Sequence, residues 1–151
     1  MIEERLVELG IELPAAAAPL ASYVPVRIAG ELAYVSGQVP LEDGRPMVRG
    51  KVGAELTVEQ GQAAARRCAL QALAALRDAL GSLDRVRGIV RLDVFVASAP
   101  GFTDQPKVAN GASDLLVDVL GEQGRHARAA VGSFELPLGV PVEVALVALI
   151  A

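Results

Sequence analysis

Alternation with a period of two in the stretch Arg125-His126-Ala127-Arg128-Ala129-Ala130-Val131 predicts a β-strand near the carboxyl end of the chain. Successive side chains of a strand point to opposite faces. One face would then carry His126, Arg128, Ala130 and Gly132, and the other would carry Ala127, Ala129 and Val131. Arg128 is therefore expected to lie among small residues.

A second strand is predicted after a Pro/Gly turn, where Val142-Glu143-Val144 begins the last apolar run. Glu143 would share its face with Ala145, Val147 and Leu149, which are all apolar. A carboxylate on such a face needs a partner or a function, because burying an unpaired charge is costly. Arg128 and Glu143 are thus the first candidates for a functional site.

Composition excludes several classes of protein. The 151 residues suffice for one domain with a core, and the 52% hydrophobic content is divided into runs shorter than the roughly 20 residues that span a bilayer. With one cysteine and one histidine, the chain offers no internal disulfide and no Cys/His zinc site. The acidic, polar start at residues 1–5 is unlike a signal peptide, so we expect a cytoplasmic protein without a membrane partner.

Turn and cap signals define the remaining elements. Gly30-Glu31 between two apolar runs predicts a two-residue hairpin, and Asp43-Gly44 predicts another turn. Thr57 with Gln60 forms a capping box, so a long helix is expected from there to Gly81. A strand over residues 86–97 and a helix over residues 105–120 follow. In that strand, Val90, Leu92, Val94 and Val96 are expected on one face, opposite Ile89, Arg91, Asp93 and Phe95.

This order of elements predicts an α+β protein in which two helices pack on one face of a mixed sheet. Residues 1–19 are expected to form an amino-terminal arm, with an alanine run between Pro14 and Pro19, and residues 20–151 the domain. The high apolar content also favours an oligomer that covers part of the surface.

Each candidate residue has an alternative, structural interpretation. Arg128 offers a fork of donors that suits a carboxylate, or it forms a structural ion pair, or it is a solvated arginine at a sheet edge. Glu143 handles protons through a water molecule, or it is paired with an arginine. His126 is a base, or a histidine with satisfied hydrogen bonds, since no serine or acid stands at a recognisable spacing. Cys68 lies on the apolar stripe of the first long helix, so we expect it to be buried.

The chain resembles the RidA family, also called YjgF/YER057c/UK114 or endoribonuclease L-PSP. The resemblance covers about residues 20–150 and rests on four motifs in a fixed order. Arg128 lies nine residues before Pro137 of a Leu-Pro pair, and Glu143 six residues after it. The motifs are Tyr34-Val35-Ser36-Gly37-Gln38-Val39-Pro40, Ala127-Arg128-Ala129-Ala130-Val131, Leu136-Pro137 and Val142-Glu143-Val144.

The resemblance implies a chorismate-mutase-like fold and a homotrimer with ligand sites in the clefts between subunits. It implies hydrolysis of enamine or imine intermediates such as 2-aminoacrylate to 2-ketoacids and ammonia, without a metal or an organic cofactor. Arg128 would grip the substrate carboxylate, with help from the backbone around Ala130, and Glu143 would position or activate the attacking water. The residues expected to line the cleft are Tyr23, Ser36 and Asn110.

The chain departs from the deaminase pattern at three places. Ala130 stands where a cysteine is usual, Tyr23-Val24-Pro25 where Tyr-Ser-Gln is usual, and Gly132 where a glutamate is frequent. The alternatives are therefore a non-catalytic trimer that binds a small metabolite such as a ketoacid, or the ribonuclease of the family's older name. The net charge of −4, without a basic stripe, argues against nucleic acid as a partner.

Strand geometry adds a prediction about the two candidates. If the last two strands pair around a turn near Leu138-Gly139, Arg128 lies opposite about Leu149. The backbones of Arg128 and Glu143 would then be on the order of 20 Å apart. Any site that uses both is expected to be composed between subunits; otherwise Glu143 acts elsewhere.

Overall fold

A five-stranded mixed sheet carries the candidate residues in the computed structural model, which describes residues 1–18 and 21–151. In chain order its strands are β1 (Val26–Ala29), β2 (Leu32–Gln38), β5 (Val86–Ala97), β6 (Ala127–Ser133) and β7 (Val142–Ile150). The order across the sheet is β1-β2-β7-β5-β6. Only β5 and β6 pair in parallel; every other pair in this sheet is antiparallel. The predicted mixed sheet is confirmed.

The predicted turns form as their sequences require. Gly30 joins β1 to β2 with φ +60°, which suits the first central position of a type II′ turn. Asp43 and Gly44 both have positive φ and close a small separate hairpin. Its strands are β3 (Leu41–Glu42) and β4 (Arg45–Pro46).

Two long helices cover one face of the sheet, as predicted. Helix α2 (Val58–Leu80) begins at the Thr57 capping box and ends at Gly81, whose left-handed φ of +84° provides the C-cap. Helix α3 (Gln105–Leu120) has the predicted bounds. The core lies between these helices and the sheet, where the side chains with little or no exposure include Leu73, Leu76, Leu92, Val94, Leu116, Val142 and Val144.

The amino terminus forms a third helix, α1 (Ile2–Glu8), which packs beside α3. Leu6 is 2% exposed and belongs to the core, and the Glu3 carboxylate accepts a hydrogen bond from the backbone of Leu83. The predicted boundary between an arm over residues 1–19 and a domain over residues 20–151 falls at residues 19 and 20, which lie outside the described residues. That division stays a prediction.

The predicted faces of the strand at residues 86–97 are correct at its carboxyl half and wrong at its start. Leu92, Val94 and Val96 point to the helices and are fully buried. The register with β7 shifts between Ile89 and Arg91, and this irregularity exchanges the faces before it. Ile89 is therefore buried at 4% exposure, whereas Val90 is 44% exposed.

The assumption that the last two strands pair with each other is also wrong. Strand β5 lies between β6 and β7, so Leu92 pairs with Arg128 on one side and with Leu146 on the other. Glu143 pairs with Phe95, three residues further along β5. Arg128 and Glu143 are therefore two strand spacings apart across the sheet and three residues apart along it. Their Cα atoms are about 14 Å apart, less than the roughly 20 Å that a hairpin would give.

Candidate functional site

Arg128 lies on the edge strand β6, on the face that the helices cover. Its strand partner Leu92 is fully buried under the helices, and paired residues of parallel strands share a face. Because β6 is at the edge, the Arg128 side chain stays exposed and reaches the flank of α3. There Nη1 donates to Asn110 Oδ1 at 2.8 Å and to Ser113 Oγ at 3.1 Å.

Helix α3 presents both acceptors because Asn110 and Ser113 are three residues apart and therefore neighbours on one helix face. A surface cavity of about 260 Å³ lies beside the guanidinium, and its wall includes Ser113, Asp114, Arg125, His126 and Arg128. Among the described residues, Arg128 forms no ion pair with a carboxylate. Its charge is thus held in place by neutral acceptors and is available to an anion.

His126 joins this arrangement through Ser113. The His126 Nε2 atom lies 2.9 Å from Ser113 Oγ, and Nδ1 lies 2.6 Å from the carbonyl oxygen of Gly124. The sequence search for a serine near His126 along the chain missed Ser113, because the contact is made across a helix and a strand. The spacing of Asn110 and Ser113 on one helix face was the available signal. We call Asn110, Ser113, His126 and Arg128 the Arg128 cluster.

Two small residues follow Arg128 on the same face of β6. Ala130 is partly buried and packs against the core. At Gly132 the space for a side chain is limited, because an added Cβ would lie 3.2 Å from both Ser98 Oγ and Gln105 Nε2. Strand β6 therefore places no polar side chain at positions 130 and 132.

Glu143 lies on the opposite face of the sheet. The residues on either side of it, Val142 and Val144, are fully buried under the helices, so the Glu143 side chain points to the face without helices. It is half-buried, and this burial raises the pKa of the Glu143 carboxyl above its ordinary value. Within residues 1–18 and 21–151, no side chain forms an ion pair or a hydrogen bond with it.

Gly37 makes room for the Glu143 carboxylate. A β-bulge interrupts the pairing of β2 with β7 between Val35 and Gln38, and a Cβ at position 37 would overlap Glu143 Oε2. The missing side chain at Gly37 therefore allows the Glu143 carboxylate to approach the backbone of β2 closely. Gly37 is thus a further functional candidate, in addition to the residues predicted from the sequence.

Ser36 precedes Gly37 in β2, and hydrogen bonds tie it to the segment that follows Tyr23. The Ser36 Oγ atom donates to the carbonyl oxygen of Val24 at 2.6 Å, and the Ser36 amide donates to Pro25 at 2.9 Å. These bonds hold the segment with Tyr23 against β2, where Tyr23 is 54% exposed. We call Ser36, Gly37 and Glu143 the Glu143 cluster.

The two clusters do not meet within one chain. Leu92 and Phe95, which pair with Arg128 and Glu143, are an odd number of residues apart, so the two functional side chains point away from opposite faces. The structure therefore brings Asn110 to Arg128, and Ser36 to the neighbourhood of Glu143, but it does not bring Arg128 to Glu143.

Neither a metal centre nor a reactive thiol is seen in the described part of the chain. No group of three or more His, Cys, Asp or Glu side chains is arranged there to hold a metal ion. Cys68 is buried as predicted, and burial raises the pKa of its thiol well above the usual range. Across the same described residues, no helix combines the length and apolarity that a bilayer span requires.

One mixed sheet with two long helices on a single face defines a chorismate-mutase-like α+β protein. Residues 3–151 match the model of a family described as "YjgF/chorismate_mutase-like, putative endoribonuclease". The chain belongs to this family, and the resemblance seen in its motifs is confirmed. The match extends beyond residues 20–150 and includes most of α1.

Relatives support this assignment over nearly the whole length. Protein TCP17 of Trypanosoma cruzi is 55% identical over 144 residues, which cover 95% of this chain and 90% of that protein. The crystal structure of Atu1372 from Agrobacterium tumefaciens, of unknown function, is 49% identical with a TM-score of 0.92, covering 99% of this chain and 92% of that one. A "putative endoribonuclease" structure from Shewanella oneidensis is 39% identical with a TM-score of 0.94, covering 99% of each chain.

Proposed function

We propose that this protein hydrolyses small carboxylated enamine or imine intermediates, of the 2-aminoacrylate kind, to 2-ketoacids and ammonia. The observation that carries the proposal is the Arg128 guanidinium, which neutral acceptors fix beside an open cavity. An arginine in this setting suits a carboxylate, because two of its N–H groups can donate in parallel to the two carboxylate oxygens.

The reaction needs a water molecule that attacks the imine carbon. An enamine first gains a proton at its terminal carbon and loses one from nitrogen to become the imine. Water then adds to the C=N bond, its oxygen becomes the new carbonyl oxygen, and the nitrogen leaves as ammonia, so no oxidant is consumed. Glu143 supports the step as an acceptor for a proton of that water, since its raised pKa makes the carboxylate a better base. The space left by Gly37 lets the carboxylate occupy this position.

We propose further that the working site forms between two subunits of a homotrimer. Arg128 and Glu143 point from opposite faces of one sheet, so one chain cannot present both to one small molecule. Arg128 of one chain facing Glu143 of the partner subunit would solve this. The sheet face without helices carries exposed apolar side chains that a neighbouring subunit would cover, among them Val90, Val131 and Leu149.

A second function, binding of a small ketoacid without turnover, is favoured by one specific observation. Ala130 and Gly132 provide no polar side chain on β6, where deaminase members usually carry cysteine and frequently glutamate. The Arg128 clamp is complete without them, whereas a water network has fewer groups to hold it. Ribonuclease activity has less support, because a net charge of −4 suits an RNA backbone poorly.

The decisive experiment measures the loss of 2-aminoacrylate generated in situ from serine by a dehydratase, with and without the purified protein. We expect wild-type protein to accelerate ketoacid formation, and Arg128→Ala to reduce this acceleration on the order of a hundredfold, because charge-assisted hydrogen bonds to the carboxylate are lost. Arg66→Ala, which removes an exposed arginine of α2, is the matched control and should leave the rate unchanged.

The outcomes separate the proposals. A wild-type protein that gives no acceleration excludes the deaminase, and saturable binding of pyruvate by the same preparation then supports the binding protein. Equal rates for wild type and Arg128→Ala would show that the reaction does not use the Arg128 cluster.

A further inference from the structure

A continuous chain of hydrogen bonds runs from Arg128 into the protein. Arg128 Nη1 donates to Ser113 Oγ at 3.1 Å, Ser113 Oγ lies 2.9 Å from His126 Nε2, and His126 Nδ1 lies 2.6 Å from the Gly124 carbonyl oxygen. These hydrogen bonds thus link the Arg128 guanidinium to the one histidine of the sequence. The proposed hydrolysis assigns no role to Ser113 or His126.

The direction of these bonds follows from the two fixed ends. A carbonyl oxygen only accepts, so His126 Nδ1 carries a hydrogen and donates it to Gly124. In a neutral imidazole, Nε2 is then the acceptor, and the Ser113 hydroxyl must donate its only hydrogen to it. Ser113 can therefore accept from Arg128 but has no hydrogen left to offer a ligand.

We propose that Ser113 and His126 are positioning residues that couple the binding of a small carboxylate at Arg128 to the binding of a proton at His126. This inference rests on the anion-binding role proposed for Arg128. When Nε2 gains a proton it donates to Ser113 Oγ, whose second lone pair still accepts from Arg128. The Ser113 hydroxyl hydrogen is then free to turn toward an anion in the cavity, while the Gly124 bond keeps the ring in place.

The positive charge of the protonated ring favours anion binding, as the released Ser113 hydroxyl does. It arises two hydrogen bonds away from the guanidinium, through Ser113, on the wall of the same cavity, and a unit charge so near a bound anion at a partly exposed site changes its affinity on the order of tenfold. A carboxylate should therefore bind more tightly when both ring nitrogens carry a hydrogen than when only Nδ1 does. By linkage, a bound carboxylate must favour the protonated ring to the same extent.

The charged groups around His126 allow this response. Arg125 and Arg128 share its cavity wall with Asp114 of α3, and Arg125 is paired with Glu122 at 3.0 Å in the turn before β6. On the neighbouring strand β5, Arg91 and Asp93 pair with each other at 3.0 Å, and they belong to the opposite face. The two arginines are thus balanced by two carboxylates, Asp114 and Glu122, and protonation of His126 adds one positive charge that a bound anion would neutralise.

The test measures the dissociation constant of pyruvate, as a probe carboxylate, by titration calorimetry of the full-length protein between pH 5.5 and 8.5. We expect binding on the order of tenfold tighter at the acidic end. His126→Gln cannot take up the proton, so its affinity should stay at the alkaline level throughout. Arg125→Gln removes from the same cavity wall a charge that is constant over this pH range. This variant should therefore weaken pyruvate binding equally at both ends of the range.

A spectroscopic readout accompanies the affinities. Because the chain has a single histidine, its ring proton resonances need no assignment among several residues. The midpoint of their pH titration should move to higher pH when pyruvate is added, and this movement should be smaller in Ser113→Ala, which keeps the charge but loses the hydroxyl. Circular dichroism of each variant confirms that it is folded.

Each result has a definite meaning. Wild-type affinity that does not change with pH overturns the coupling and leaves the proposed hydrolase intact. A pH dependence that survives in His126→Gln also overturns it and assigns the titration to another group, Glu143 being the first candidate because its pKa is raised. No saturable binding at any pH overturns the coupling together with the anion-binding role of Arg128.

Discussion

At the residue scale, both charged side chains of the proposed site are positioned by uncharged neighbours. Arg128 is held by an amide and a hydroxyl rather than by a carboxylate, which keeps its charge uncompensated. The Glu143 carboxylate can occupy its position because Gly37 has no side chain to fill that space. In both cases, uncharged residues determine where the charged group lies.

Gly37→Ala should reduce imine hydrolysis without unfolding the protein. The new methyl group would overlap the end of the Glu143 side chain, which is flexible, so the carboxylate moves and the backbone does not have to. We expect a rate close to that of Glu143→Ala and a loss of unfolding free energy below about 1 kcal/mol in chemical denaturation.

The double variant Gly37→Ala/Glu143→Ala provides the control for that mechanism. If Gly37 acts only by placing Glu143, the second substitution adds nothing to the loss of rate that Glu143→Ala causes alone. Additive losses would mean that position 37 has a separate role.

At the scale of elements, the close contact of α2 with α3 fixes the helix from which Asn110 and Ser113 reach Arg128. Gly111 lies in that contact, where an added Cβ would overlap the backbone carbonyl of Gln62 in α2. Backbone atoms cannot rotate away as a side chain does. The helices would have to separate, and α3 would move relative to β6.

Gly111→Ala is therefore expected to destabilise the protein by about 2–4 kcal/mol, although alanine favours helices over glycine by about 1 kcal/mol. Chemical denaturation measures the loss, and the affinity for pyruvate should fall with it because Asn110 and Ser113 are displaced. Asp118→Ala, at an exposed position of the same helix, should change the unfolding free energy by less than about 0.5 kcal/mol. Similar values for the two variants would contradict the tight contact.

Local signals were enough to predict most elements and their ends. The Thr57–Gln60 capping box, Gly81 and the Gly30-Glu31 turn act within a few residues, so the sequence contains all that decides them. The bulge that exposes Val90 could not be predicted, because it depends on how β5 pairs with β7. The insertion of β5 between β6 and β7 was missed for the same reason, since strand order is a nonlocal property.

The candidate site shows the same limit. Arg128 and Glu143 were predicted from strand alternation and Asn110 from the family resemblance, and their functional roles remain predictions. The contacts of Ser113 with His126 and of Gly37 with Glu143 join residues 13 and 106 positions apart in sequence, counted from their numbering. Periodicity within one element carries no information about such pairs.

At the scale of the whole molecule, a site shared between subunits can be tested by mixing inactive variants. Arg128→Ala and Glu143→Ala, co-expressed in equal amounts and assembled at random, would leave about a quarter of the interfaces with both an intact arginine and an intact glutamate, by the closed symmetry of a ring. We expect about a quarter of the wild-type rate in the imine assay, although each variant alone is nearly inactive.

The matched control replaces Glu143→Ala in the mixture by the double variant Arg128→Ala/Glu143→Ala. No interface then contains Arg128, so the mixture should remain inactive. Failure of the first mixture to regain activity, with light scattering showing assembled trimers, would place both residues in one chain or exclude one of them from catalysis.

The position of β7 also has a consequence for how the protein is made. This strand pairs with both β2 and β5, yet it follows every other strand in the chain. While a ribosome is still adding residues 142–150, β2 and β5 lack the neighbour that joins them, and the strand edges that will pair with it stay unpaired. The complete sheet therefore cannot assemble before β7 has been synthesised, and until then the unpaired edges of β2 and β5 are open to pairing with other chains.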